Sequence, residues 1–134
     1  MINIPNYQIT EQIYESSNSL VYRGLRQKDK QPVILKVLKE DYPSPEELTR
    51  YRQEYDIMCH LADLDGVVKV CSIDKHQNKL LMCLEDFGGE PLRNLAQERQ
   101  FTVEELLKLF INATEILGQI HQKNVIHKDI NPAN

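Results

Sequence analysis

The sequence predicts an α+β fold: five strands with one helix inserted among them, followed by helices. Two kinds of observation lead to this order. Apolar runs alternate with polar turns in the first part of the chain, and capping sequences at Ser44 and Thr102 mark two helix starts. The chain has 134 residues, 41% of them hydrophobic and 27% charged, which is enough for one globular domain of ordinary size.

The first three strands are predicted between residues 7 and 38. Residues 20–23 form a short strand-like run, and residues 26–31 form a polar turn. Residues 33–38 are a β-branched run of the kind found in buried strands. The most economical arrangement of these segments is a three-stranded antiparallel meander.

The inserted helix has an explicit start. Ser44 is placed as the N-cap, Pro45 suits the first helical position, and Glu47 completes a capping box. The helix is predicted to run to about residue 61. Its apolar positions fall on one stripe, which predicts that this side faces a core. These positions are Leu48, Tyr51, Tyr55, Met58 and Leu61.

Strands return after this helix and give way to further helices. Two strands are predicted at residues 67–73 and 79–84, joined by the polar turn 74–78. A short helix is predicted around residues 92–97. Thr102 and Glu105 then form a second capping box, which opens a long amphipathic helix. Its apolar face consists of Val103, Leu106, Leu107, Phe110, Ala113, Leu117, Ile120 and His121.

Charge and cysteine content narrow the function classes. The net charge is −4 and basic residues are scattered among acids, so we expect no nucleic-acid partner. Cys59, Cys71 and Cys83 form no C-x-x-C pair, which favours reduced, structural cysteines. We find neither a signal peptide nor an apolar run of the roughly 20 residues that span a bilayer. The sequence therefore predicts a soluble, cytoplasmic protein without a membrane partner.

The C-terminal segment from His127 to Asn134 carries the strongest chemical signal. Asp129 and Asn134 lie five positions apart, and Pro132 prevents a continuous helix between them. Phosphoryl transfer uses such a pair, because a carboxylate can accept the attacking hydroxyl's proton and an amide oxygen can hold Mg²⁺. The alternative is a polar turn in which Asp129 is only a solvated cap.

This segment resembles the H-R-D-x-x-x-x-N catalytic loop of the eukaryotic-type protein-kinase superfamily, with Lys128 in place of arginine. The run from Val33 to Lys36 is similar to that family's V-A-I-K strand. A lysine within a buried strand needs an anionic partner unless its ammonium reaches water. By the resemblance, that partner is Glu54 on the following helix together with the α- and β-phosphates of ATP, although other acids share this helix.

The resemblance implies a kinase-like N-lobe, with a five-stranded antiparallel sheet and one helix, followed by the first helices of the C-lobe. Residues 1–87 would form the N-lobe and hinge, and residues 88–134 the start of the C-lobe up to the catalytic loop. Asp129 would be the catalytic base and Asn134 a ligand of Mg²⁺. The D-F-G motif and activation loop do not occur in the sequence, so we expect a partial domain, inactive alone, with further domains on its C-terminal side.

The adenine site is assigned by the same resemblance. Leu84 would guard the back of the pocket, and the backbone of Glu85 and Phe87 would bond the adenine edge. Two further positions on the first two strands, Ile13 and Val21, are expected to contact the nucleotide. The pocket would be completed by Ile34, which replaces the usual alanine and narrows it.

The chain departs from the family pattern at two further places. The three glycine positions of the phosphate-covering loop are Tyr14, Ser16 and Ser19, so the loop lacks the residue that tolerates positive φ and close backbone approach. Asn131 stands where serine/threonine-specific kinases carry a lysine that steadies the transferring phosphate. The glycine-free loop predicts weaker or differently posed nucleotide binding. Asn131 removes part of the electrostatic stabilisation of phosphate transfer, so the acceptor residue type stays open.

Three functions remain open at this stage. The leading one is ATP- and Mg²⁺-dependent transfer of phosphate to Ser/Thr hydroxyls of a protein substrate. Within that class, the glycine-poor loop and the H-K-D-I-N-P-x-N string resemble the kinase domains that open very large bacterial sensor proteins. The alternatives are a small-molecule phosphotransferase of the aminoglycoside or choline kinase type, and a pseudokinase or regulatory nucleotide-binding module.

Overall fold

The computed structural model describes residues 2–134 and confirms the predicted α+β fold: a five-stranded antiparallel sheet followed by helices. The described chain divides into two compact units. The first runs to Ala62 and also contains Val68–Phe87; the second contains Asp63–Val67 and Gly88–Asn134. The elements are β1 (Tyr7–Glu15), β2 (Ser19–Arg26), β3 (Pro32–Leu38), α1 (Pro45–His60), β4 (Val70–His76), β5 (Lys79–Glu85), α2 (Leu92–Glu98) and α3 (Val103–Gln122).

The sheet of the first unit has the order β1-β2-β3-β5-β4, and every neighbouring pair is antiparallel. The central strand is β3. Its residue Lys36 lies opposite Val21 of β2 on one side and Met82 of β5 on the other. Directly opposed residues share a face of the sheet, so these three side chains project to the same side.

The predicted bounds of the fourth strand were wrong. It begins at Val70 rather than at residue 67. Just before it, the Glu85 N–H donates to the Lys69 carbonyl, and the Glu85 carboxylate accepts from the Lys69 N–H, both at 2.9 Å. The strand then continues to His76, through part of the predicted turn. Only Gln77 and Asn78 form the turn, and their φ values of 47° and 66° suit a two-residue hairpin of right-handed twist.

Two hydrophobic clusters cover the two faces of the sheet. The first consists of Ile4, Tyr22, Val33, Leu35, Val37, Leu81 and Cys83. The second lies on the side of α1 and consists of Leu38, Tyr51, Leu80 and Met82. Odd positions of β3 enter the first cluster, so the strand's alternation directs Lys36 toward the side of α1.

Helix α1 has the predicted start and the predicted apolar side. The capping box is confirmed: the Ser44 hydroxyl accepts from the Glu47 N–H at 3.2 Å, and the Ser44 N–H donates to the Glu47 carboxylate at 3.0 Å. Of the predicted stripe, Tyr51 and Leu61 are buried. The other three positions pack half-buried against the second cluster; they are Leu48, Tyr55 and Met58.

The second unit contains the two remaining helices. Its capping box is also confirmed, since Thr102 and Glu105 exchange hydrogen bonds of 3.0 and 3.1 Å. The Lys123 ammonium binds the Asp63 carboxylate at 2.6 Å, which ties the end of α3 to the short segment before Gly66. None of the residues of α3 is buried. Within residues 2–134, no helix combines the length and apolar character needed to cross a membrane.

Gly24 brings β1 and β2 into close backbone contact. A Cβ at this position would lie 2.5 Å from the carbonyl oxygen of Gln8, and a backbone atom within a sheet cannot move aside easily. We expect Gly24→Ala to destabilise the chain by about 1–3 kcal/mol, as overpacked substitutions do, when measured by equilibrium urea unfolding. Gly118→Ala is the control: it adds the same methyl group to a helix where nothing lies within 4 Å, so stability should be kept or raised. Equal stability of both variants would contradict the expectation.

Candidate functional site

Lys36 and Glu54 form a two-point ion pair. The Lys36 ammonium donates to both carboxylate oxygens of Glu54, at 2.7 and 2.8 Å. The side chains are 26% and 43% exposed, so water competes for both charges. Such pairs contribute about 0–1 kcal/mol to stability, which is too little to explain a lysine within a core strand. The pair is better understood as holding the ammonium in one place.

Of the acids on α1, the structure brings Glu54 to the lysine, as the resemblance predicted. Glu47 is engaged in the capping box instead. Helix α1 begins at Pro45, so Glu54 lies near its middle, on the side that faces the sheet. A nucleotide-binding role for the pair stays a prediction at this point.

Tyr51 contacts Lys36 as well, and the sequence assigned it only to the core. Its hydroxyl donates a hydrogen bond to the Lys36 carbonyl, and its ring centroid lies 5.8 Å from the Lys36 ammonium. The side chain is buried, and this burial raises the pKa of Tyr51 above its ordinary value, with a further contribution from the Glu54 charge. A tyrosine one helical turn before Glu54, within the apolar stripe, was the available signal for this contact.

Three of the residues predicted to surround adenine lie on the same face of the sheet as Lys36. Val21 lies opposite Lys36, and Ile34 lies opposite Leu84. All three are half-buried, so the face keeps apolar surface beside the lysine. Ile13 is 42% exposed and lies where the pairing of β1 with β2 is irregular. Its predicted contact with the nucleotide stays a prediction.

The segment after β5 is held by charges that the sequence did not predict. The Asp86 carboxylate is only 7% exposed and accepts from Arg23 Nε at 2.7 Å. Arg23 also binds Glu11 of β1 at 3.2 Å, so the ion pairs cross from β1 to the end of β5. The backbone of Glu85 is fixed by Lys69, whereas the Phe87 side chain is 73% exposed. The partners Arg23 and Asp86 are 63 residues apart, and no local pattern reports such a contact.

The glycine-free loop between β1 and β2 closes on itself. The Ser16 hydroxyl accepts from the N–H groups of Asn18 and Ser19, at 3.3 and 3.0 Å, and the Ser16 N–H donates to the Ser19 carbonyl at 2.9 Å. Residues with positive φ lie elsewhere in the described chain, so this turn needs no glycine for its conformation.

At the end of β1, hydrogen bonding and charge from Lys39 lower the pKa of Glu15.

The segment from residue 127 to 134 surrounds Asp129 with hydrogen bonds. Its carboxylate accepts from Asn131 Nδ2 and from Asn134 Nδ2, each at 3.1 Å, and Asn134 Nδ2 also binds the Asp129 carbonyl at 2.7 Å. His127 Nδ1 accepts from the Asp129 N–H at 3.2 Å. All four side chains are exposed. The segment is a loop that presents one oriented carboxylate.

Asn131 has a structural part in this loop. Its Oδ1 accepts from the Ala133 N–H at 2.9 Å while its Nδ2 binds the Asp129 carboxylate. The loop is also anchored to α2, because the Arg93 N–H donates to the Pro132 carbonyl at 2.7 Å. The sequence treated Asn131 only as a missing lysine, yet its amide links the carboxylate of the predicted base to the backbone of Ala133.

The oxygen atoms of this loop suit Mg²⁺ in kind but not in number. Carboxylate and amide oxygens are ligands that Mg²⁺ accepts, and it requires six in total. Asn134 turns Nδ2 toward Asp129, so Oδ1 is its remaining amide atom for a metal. No group of three or more acidic, histidine or cysteine side chains that could hold a metal occurs in the part of the chain that the structure describes. Phosphate oxygens and water would have to supply the other ligands.

Comparisons with known proteins agree with this geometry. The family model of the protein kinase domain matches residues 7–134. The chain is 24% identical over 130 residues to a probable serine/threonine-protein kinase of Clostridium perfringens and 29% identical over 133 residues to the serine/threonine-protein kinase PknL of Mycobacterium tuberculosis. It is 32% identical over 100 residues to calcium-dependent protein kinase 14 of Oryza sativa.

The matches cover most of this chain and a small part of each relative. The three alignments span 96%, 96% and 73% of the chain, in the order given above. They span only 19%, 32% and 19% of the relatives' own lengths. The likeness therefore concerns one region of each of these longer proteins.

Proposed function

Because the chain belongs to the protein kinase family, as the match over residues 7–134 shows, we propose that it provides the ATP anchor and catalytic loop of a serine/threonine-type protein kinase. The observation that carries the proposal is the ion pair of Lys36 and Glu54, with both carboxylate oxygens on one ammonium. A charged pair that stabilises the fold so little is retained most simply for a ligand.

In this proposal Lys36 binds the phosphates of ATP. A lysine ammonium has three N–H donors, and Glu54 accepts from it through two oxygens. One donor is left for a phosphate oxygen. Val21, Ile34 and Leu84 provide apolar contacts for adenine on the same face, and the backbone of the segment after β5 provides polar ones. The Arg23–Asp86 ion pair would hold that segment still.

Asp129 would accept the proton of the attacking hydroxyl. The amide groups of Asn131 and Asn134 fix its orientation without adding a competing charge. Each carboxylate oxygen has two acceptor positions, so one amide bond leaves capacity for a substrate hydroxyl. Bound Mg²⁺, to which Asn134 would contribute Oδ1, neutralises phosphate charge during transfer. We also place this activity in the cytoplasm, where the three free cysteines would stay reduced.

A pseudokinase is the second candidate, and the loop between β1 and β2 favours it. The N–H groups of Asn18 and Ser19 already donate to the Ser16 hydroxyl. In that arrangement they are not directed at a phosphate. A domain of this kind would bind nucleotide weakly and transfer no phosphate.

The test uses the protein that contains this chain, at its full length. ATP binding is measured by calorimetry with and without Mg²⁺, and transfer of the labelled γ-phosphate is followed to casein, to the protein's own residues and to small alcohols. The expected result is Mg²⁺-dependent binding and labelling of serine or threonine. Binding without transfer would favour the pseudokinase, and labelling of small alcohols in place of protein would contradict the proposal. Absence of both binding and transfer would exclude both candidates.

A further inference from the structure

We propose that Tyr51 is a positioning residue for Lys36, so that α1 holds the phosphate-binding lysine at two points instead of one. This inference rests on the proposed function, because positioning matters only if Lys36 binds a ligand. The first point is the Glu54 carboxylate on the ammonium. The second is the Tyr51 side chain, which contacts both the backbone and the ammonium of the same lysine.

The Tyr51 hydroxyl contacts the backbone of Lys36, from which the lysine side chain projects. It donates to the Lys36 carbonyl, on the strand β3 that pairs with β5. Tyr51 is only 4% exposed, so little water can replace this bond. An unpaired polar group at such a site is costly, and the hydroxyl therefore favours one placement of α1 against β3 and β5.

The ring of Tyr51 lies near the ammonium group at the other end of the Lys36 side chain. Its centroid lies 5.8 Å from the Lys36 ammonium, within the range of cation–π attraction. Tyr51 and Glu54 are three residues apart, so they are neighbours on the surface of α1. A shift of the helix along β3 would disturb both contacts at once. The buried tyrosine thus adds a second contact to the one that the half-exposed glutamate makes.

The competing explanation is that Tyr51 only fills the core. Tyr51→Phe separates the two, because it keeps the ring and its volume and removes only the hydroxyl. Tyr55→Phe is the matched control, since Tyr55 lies on the same helix, packs half-buried against the same cluster and follows Glu54 directly. Lys36→Ala provides the background in which a positioning effect must vanish.

The first measurement is the affinity of the full-length protein for Mg²⁺-ATP. We expect Tyr51→Phe to weaken binding by about 3- to 10-fold, the loss of one buried hydrogen bond, and Tyr55→Phe to change it less than about twofold. In the Lys36→Ala background, Tyr51→Phe should have no further effect. In steady-state phosphotransfer the KM for ATP should rise, whereas a purely structural defect would lower only the apparent kcat.

The second measurement needs no nucleotide. The rate at which Lys36 reacts with an amine-directed reagent is followed by mass spectrometry, with Lys39 as the internal reference. We expect faster labelling of Lys36 in folded Tyr51→Phe, by about threefold or more, and unchanged labelling of Lys39. This result without any ATP binding would keep the positioning role and reject the nucleotide role. Unchanged Lys36 labelling, or loss of folding in both Tyr51→Phe and Tyr51→Met, would overturn the inference.

Discussion

Asp129→Asn is expected to lower the phosphotransfer rate by about 10²- to 10⁴-fold, the usual contribution of a general base, while ATP affinity changes by less than about twofold. The substitution removes the group that accepts the hydroxyl proton and keeps the side-chain shape. It also replaces one of the two acceptor oxygens that bind Asn131 and Asn134, so part of the loop's hydrogen bonding is lost. The measurement is the initial rate at saturating Mg²⁺-ATP.

The control for this variant must change an acid without touching the loop. Asp65→Asn does so, because Asp65 is an exposed residue of the same compact unit and lies far along the chain from Asp129. Its rate should equal that of the wild type. If Asp129→Asn retained the wild-type rate within threefold, Asp129 would be the solvated turn residue that the sequence left open as an alternative.

The catalytic-loop hypothesis depended on short-range spacing, and this explains why it could be formed from sequence. Asp129 and Asn134 lie on one short loop, so five positions are enough to predict that they meet. The pairing of Lys36 with Glu54 spans 18 residues, and the family resemblance named it. Capping and periodicity contributed only the face of α1 that meets the sheet, which agrees with that pairing.

Other parts of the site depend on contacts that no local rule supplies. Arg23 and Asp86 are joined only because β2 and the end of β5 come together in the folded sheet. Tyr51 looked like any apolar-stripe residue, since its hydroxyl finds a partner only after β3 packs beneath it. Their roles follow from the sheet order, which the sequence predicted only as far as the first three strands.

The loop between β1 and β2 shows how a rule about residue types can mislead. Glycine was expected because positive φ and close approach favour it. The structure achieves its turn with Ser16, whose hydroxyl binds two backbone N–H groups, and the turn has no positive φ. The missing glycines therefore alter which groups can face a phosphate, while the turn itself is intact.

Lys36→Met is expected to weaken Mg²⁺-ATP binding by about 10- to 100-fold, the loss of one charge-assisted hydrogen bond of about 1.5–3 kcal/mol. Stability should change by less than about 1 kcal/mol, because Glu54 is 43% exposed and water can solvate it once the lysine is gone. The measurements are calorimetric ATP titration and urea unfolding of the same preparations.

Lys39→Met is the matched control for this loss. Lys39 follows β3 directly, is 29% exposed and pairs with Glu15, so its removal breaks a similar ion pair beyond the end of the strand. It should leave ATP affinity within about twofold, since that ion pair has no assigned ligand. The loss of ATP affinity in Glu54→Gln should lie between the losses in these two variants, because the Lys36 ammonium keeps its charge and loses only its ionic partner. Equal losses in Lys36→Met and Lys39→Met would mean that general charge, and not the position that Glu54 and Tyr51 give to Lys36, attracts the nucleotide.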